Sequence, residues 1–126
     1  MTIATAMWIS LACACTVAAQ ETAAPVTIAC NLKAIGSKER PRYNDLMKRL
    51  RAAVRNRKEL ADGYAYQLEQ KAITLPEVAE WMSMERLCCP FLKLELSAAG
   101  HQTDWRLTLT GPEGVKPLLQ AEFPPR

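Results

Sequence analysis

The chain has 126 residues, of which 49% are hydrophobic and 23% charged, with a formal net charge of +3 at pH 7. That length suits one ordinary domain, and that balance excludes a disordered chain. The charge is too mild to imply a nucleic-acid partner, and neither an internal repeat nor a low-complexity run is present.

Residues 1–19, MTIATAMWISLACACTVAA, carry no charged side chain, and 7–19 form an apolar, Ala-rich run. Small residues at Val17-Ala18-Ala19 suit cleavage before Gln20, so the expectation is a signal peptide and a secreted or periplasmic protein. The front end lacks Lys and Arg. This leaves an uncleaved membrane anchor, a misassigned start or a hydrophobic N-terminal helix as alternatives. Neither Cys13 nor Cys15 follows the Leu-x-x pattern of a lipoprotein. After cleavage no stable membrane insertion is expected, and Cys30, Cys88 and Cys89 remain of the five cysteines. An odd count leaves at least one thiol unpaired or pairing between molecules.

Residues 20–25 read as a linker and 26–126 as a single domain. VTIAC, residues 26–30, alternates, so a short strand is expected with Val26, Ile28 and Cys30 on the core face. A helix is expected over 38–57, with Ser37 as N-cap and Tyr43, Leu46, Met47, Leu50, Ala53 and Val54 as its apolar stripe. Nine of the sixteen Lys and Arg residues lie between Lys38 and Lys58. They form either an anion-binding surface or a solvated helix face, and the second is the commoner use of such runs.

Asp62-Gly63 marks a turn, and YAYQLE a strand with Tyr64, Tyr66 and Leu68 on one face. Thr74 with Glu77 forms a capping box with Pro76 in the first turn, so a helix should run from about Leu75 into the cysteines and stop at Pro90. FLKLEL and WRLTLT alternate as two strands of a hairpin. Here Leu92, Leu94 and Leu96 share a face, as do Trp105, Leu107 and Leu109. GPEG is a turn, and Pro117 confines the closing helix to its second half. The order β-α-β-α-β-β-α gives a small α+β domain with helices packed on a mostly antiparallel sheet.

The chemistry concentrates in MERLCCPF, residues 84–91. A bridge between Cys88 and Cys89 is disfavoured, because adjacent Cα atoms lie about 3.8 Å apart and ordinary disulfides need about 4.4 Å. A bridge from Cys30 to one of the pair would suit an oxidising compartment and leave one thiol beside a disulfide. Alternatively the three sulfurs hold a soft ion such as Cu(I) or Zn(II), or thiophilic Hg(II) or As(III). Zinc-ribbon spacing is absent.

Glu85 lies on the stripe of Val78, Trp81 and Met82 and needs a partner there. It is a candidate metal ligand, thiol-proton acceptor or ion-pair member. The candidate metal set is therefore Cys30, Cys88, Cys89 and Glu85. A helix C-terminus raises thiol pKa, which argues against a thioredoxin-like nucleophile. His101, alone in the hairpin, reads as a loop residue, and no motif points to an enzyme.

ERLCCPF, with the DGY strand before it, GPEGVK after it and the early Cys30, resembles a group of small bacterial proteins sharing a Glu-Arg-x-Cys-Cys-Pro-Phe motif. The resemblance spans nearly all of residues 20–126, with Pro117 as a departure. It implies one coherent domain and brings no mechanism with it.

Overall fold

The computed structural model describes residues 24–101 and 103–125. The leader expected over 1–19, with Cys13 and Cys15, lies outside them. Among the described residues no helix is long and apolar enough to cross a membrane. A 3-10 turn at Leu32–Ala34 precedes α1 (Arg40–Ala53), β1 (Val54–Leu60), β2 (Gly63–Glu69), α2 (Leu75–Cys88), β3 (Lys93–Ser97), β4 (Asp104–Thr110) and α3 (Val115–Glu122). The strands form one antiparallel sheet in the order β1-β2-β4-β3. The α+β class and the helix-on-sheet architecture are as the sequence pattern implies.

Period-two alternation decides which sheet face is covered. Tyr64, Tyr66 and Leu68 of β2 and Leu107 and Leu109 of β4 are buried on one face, against Leu46 and Leu50 of α1, Val78 and Trp81 of α2 and Leu119 of α3. Phe123, just past α3, joins three elements. Its ring lies 4.8 Å from that of Tyr66 and meets Trp81 edge-on at 6.3 Å. Rings at such offsets add to the area they bury. At the far end of the sheet, Trp105 gives its indole N–H to Ile73 O at 3.0 Å.

Two elements differ from expectation. Residues 26–30 are not a strand, and Val26 is 58% exposed. The segment pairs with neither edge strand, and the arm it belongs to is tied instead to the end of α2, where Asn31 N donates to Cys88 O. The helix expected to reach residue 57 ends at Ala53, and Val54 opens β1. An Asp-Gly turn needs a strand on each side, and the segment before it supplies one despite Arg55, Arg57 and Lys58. Those cations stand on an edge strand, where only one side of the backbone is paired. A smaller difference concerns α3. It begins at Val115, with Pro117 in its first turn, where a missing N–H costs nothing. Gly114 before it has φ 91°, a conformation that side chains disfavour.

The α2 boundaries follow the sequence closely. Thr74 N donates to Glu77 Oε2 at 3.0 Å, and the hydroxyl of Thr74 lies 2.9 Å from the same oxygen. Glu77 also receives Arg49 of α1, while Arg42 donates twice to Glu80, at 3.0 and 2.7 Å. With Arg49 as the main cause and Thr74 adding to it, the Glu77 carboxyl is held down at about 2. Much of the basic run of α1 is thus spent on carboxylates of α2 and α3, the latter through Arg51 and Glu122.

Gly63 lets β2 approach β4 closely. A Cβ there would stand 2.0 Å from Leu109 O, a backbone atom that cannot swing away. We expect Gly63→Ala to cost about 1–3 kcal/mol by overpacking, read as a lower denaturant midpoint. An unchanged midpoint would mean that the two strands are not held at this distance.

Candidate functional site

The C-terminal turn of α2 presents the chemistry. Cys88 is the last helical residue. Cys89 leaves the helix at φ −124°, ψ 70°, with its N–H still donating to Glu85 O at 2.7 Å. Pro90 enforces that departure, because the residue before a proline is pushed out of the α region. Leu92 N then closes a turn onto Cys89 O at 3.0 Å.

The N-terminal arm arrives from the other side. Asn31 N donates to Cys88 O at 2.8 Å, satisfying a carbonyl that the helix end leaves open. This contact carries Cys30 to the pair. Cys30 and Cys89 form a disulfide with Cα atoms 4.7 Å apart, within the range such bridges need. Cys88 is the free cysteine among the described residues, and both Cys88 and Cys89 are fully buried. Cys30, Cys88 and Cys89 place their sulfurs within 4.8 Å of one another. Cys30 thus reaches the pair, through an arm laid over the helix end instead of a strand.

Glu85 lies one turn back, 3% exposed, and accepts the Tyr43 hydroxyl at Oε2 over 2.7 Å. It is not among the three mutually close sulfur groups. Its bond to Tyr43, a hydroxyl from α1, fills the partner role that sequence reasoning gave to a basic side chain. Tyr43 was legible only as a member of the α1 stripe. The missed signal is that it is the stripe residue with a hydroxyl, facing a helix whose own stripe carries a carboxylate.

Burial pushes the Glu85 carboxyl above its usual range. The Tyr43 hydrogen bond and Arg51 oppose that shift, and Glu122 reinforces it. Burial likewise raises Cys88 to about 11, helped by the nearby Glu85 and Glu122 and opposed by the Asn31 backbone. A thiol held protonated at neutral pH is a weak nucleophile. His101 is exposed in the β3–β4 connection, on the opposite side of the sheet from the helices, beside Thr103 and Trp105. None of the family models, curated proteins or solved structures compared with the chain matches it.

Two outcomes follow from this geometry. The bridge closes a loop with a sequence separation of 59, so Cys30→Ser should lower stability by about 2–4 kcal/mol without reductant. Cys88→Ser, which leaves the bridge intact, should lose less. Urea titrations of oxidised and reduced protein compare them, and equal losses would deny the bridge its structural role.

Glu85 binds its proton more tightly folded than unfolded. Its contribution is therefore full below the ordinary carboxylate range, near pH 4.3, and is lost as pH rises through the raised folded value. Glu85→Gln keeps an acceptor for Tyr43 and removes the titration. Its stability relative to the native chain should climb across that interval, and a constant difference from pH 4 to 8 would be evidence against a raised Glu85.

Proposed function

We propose that the protein, with its Cys30–Cys89 bridge reduced, binds one soft thiophilic metal or metalloid ion through Cys30, Cys88 and Cys89. The observation that carries this reading is the mutual approach of three sulfurs within 4.8 Å, two of them on fully buried residues. Ligands at about 2.3 Å from a shared ion lie at most about 4.6 Å apart, so Cys88 is already close to the needed range, while the Cys30 and Cys89 sulfurs separate from bonding distance once reduced. Three sulfurs satisfy Cu(I) or As(III), whereas a structural Zn(II) would want a fourth ligand. Glu85 is the neighbouring carboxyl that could fill that fourth position. In a three-sulfur site it is a neighbouring carboxyl held by Tyr43, with burial favouring its neutral form.

The redox balance is explicit. A dithiol reductant gives two electrons and two protons to the bridge, producing the Cys30 and Cys89 thiols and an oxidised dithiol. Ion binding then displaces protons from the coordinating thiols, so affinity rises with pH. The bridged form is the closed, ion-free state. In an exported protein, which the leader suggests, the bridge would dominate until a reductant reaches it.

A thiol-exchange catalyst is the rival reading, favoured by one thiol lying beside a disulfide. The burial and raised pKa of Cys88 weigh against it, since exchange needs an accessible thiolate.

Native mass spectrometry after reduction with a phosphine, with Cu(I), As(III) and Zn(II) titrated separately, tests the proposal. One ion per reduced chain is expected, with none on the oxidised chain. Cys88→Ser and Cys30→Ser should abolish tight binding, and Glu85→Gln should weaken it by about 10–100-fold or less. Reduced wild-type protein that retains no ion would overturn the metal reading.

A further inference from the structure

The two edges of the sheet, β1 and β3, are built differently. At β1 the register with β2 shifts between Val54 and Asn56, and Arg55, Arg57 and Lys58 line the strand. A bulge and a row of like charges both blunt an edge. β3 has neither. It runs from Lys93 to Ser97, pairs with β4 in unbroken register, and carries no proline and one charge of each sign. Among the described residues no backbone group bonds to its outer side.

The two rows of side chains on β3 also differ. Leu94 and Leu96 stand opposite Leu109 and Leu107 of β4, on the face that the helices cover. Leu107 and Leu109 are fully buried, whereas Leu94 and Leu96 are only half-buried. With Leu92 they form one wall of a groove of about 540 Å³, and Ala79, Met82 and Ser83 of α2 form the other. Apolar surface left at an edge gains free energy when a further strand covers it. On the opposite face Lys93 and Glu95 form an ion pair at 3.0 Å, with side chains 68% and 55% exposed.

Antiparallel pairing of this edge with a second copy of itself has few registers to choose from. Partners across a ladder share a face, so any slip by one residue sets leucines against charges. Centred on Lys93 or on Glu95, the pairing brings two like charges together at the axis, which is unfavourable. Centred on Leu94, it places Lys93 of each copy opposite Glu95 of the other. Leu94 then meets Leu94, and Leu96 meets Leu92. The edge thus complements itself in charge on one face and in apolar content on the other.

We propose that the protein forms a two-fold symmetric dimer through β3, in the register centred on Leu94. The product is a continuous eight-stranded antiparallel sheet, made of two four-stranded sheets, with the helices of both copies on one face. The occupant is a second copy because an isologous contact requires a self-complementary patch, and this edge is one. The second copy's leucines close the open side of the groove beside α2.

Sedimentation equilibrium of the oxidised full chain, loaded from about 10 μM to about 1 mM, tests this. Wild type should show a saturable monomer–dimer equilibrium within that range. Lys93→Glu and Glu95→Lys each put like charges across both crossing pairs, so each alone should weaken the dimer at least about ten-fold. Mixed in equal amounts, the two variants should associate with each other, since each supplies the charge the other lacks. The double variant Lys93→Glu/Glu95→Lys should dimerise as wild type does. Both positions are exposed, so every variant should melt near the wild-type temperature, which serves as the control for folding. A wild type that stays monomeric throughout, a dimer indifferent to either single variant, or a mixture or double variant that fails to associate would each overturn the proposal.

Discussion

The stop imposed by Pro90 is the constraint on which the sulfur site rests. In a continuing helix, side chains of adjacent residues diverge by about 100°, and two neighbouring cysteines could not address one point. Because Pro90 drives Cys89 to φ −124°, ψ 70°, Cys88 stays on the buried helical face while Cys89 turns to Cys30. The same interruption leaves the Cys88 carbonyl without an intrahelical donor, and Asn31 supplies one. One proline thus creates both the backbone anchor for the N-terminal arm and the sulfur that fastens it.

The contact between α1 and α2 has a dry centre and a wet margin. At the centre Tyr43 meets Glu85, while at the margin Arg42 and Arg49 meet Glu80 and Glu77. Exposed ion pairs of this kind contribute little each. The central pair is the buried one, and Glu85 adds to the upward shift that burial gives the Cys88 thiol. A carboxyl and a thiol close together in a poorly solvated place each disfavour ionisation of the other. Burial and this mutual effect both push the two groups toward their neutral forms.

Much of this was legible in the residues. Thr74, Glu77 and Pro90 bracket α2 to within a residue, since caps and prolines act locally. Leu107 and Leu109 alternate as a half-buried strand must. Cys30 could be expected near the pair, but the choice of Cys89 over Cys88 depends on the backbone angles of one residue, which spacing does not encode. β1 was hidden because Arg55, Arg57, Lys58 and Glu59 interrupt an edge strand with one solvated side. Residues 26–30 misled in the opposite sense, as alternation becomes a strand only where the segment pairs with a ladder, and this one is tied to the end of α2 instead. The Tyr43–Glu85 bond lay between two correctly read stripes, and only their pairing in space joins them.

The charges that concealed β1 also determine how copies of the molecule meet. A sheet edge offers a row of unused N–H and C=O groups, and a bare one can recruit the edge of another chain. Here Arg55, Arg57 and Lys58 crowd seven residues of that edge. Two such edges approaching in antiparallel register would bring like charges together before any hydrogen bond could form. The basic residues therefore guard β1, one of the two edges of the four-stranded sheet, against edge-to-edge pairing.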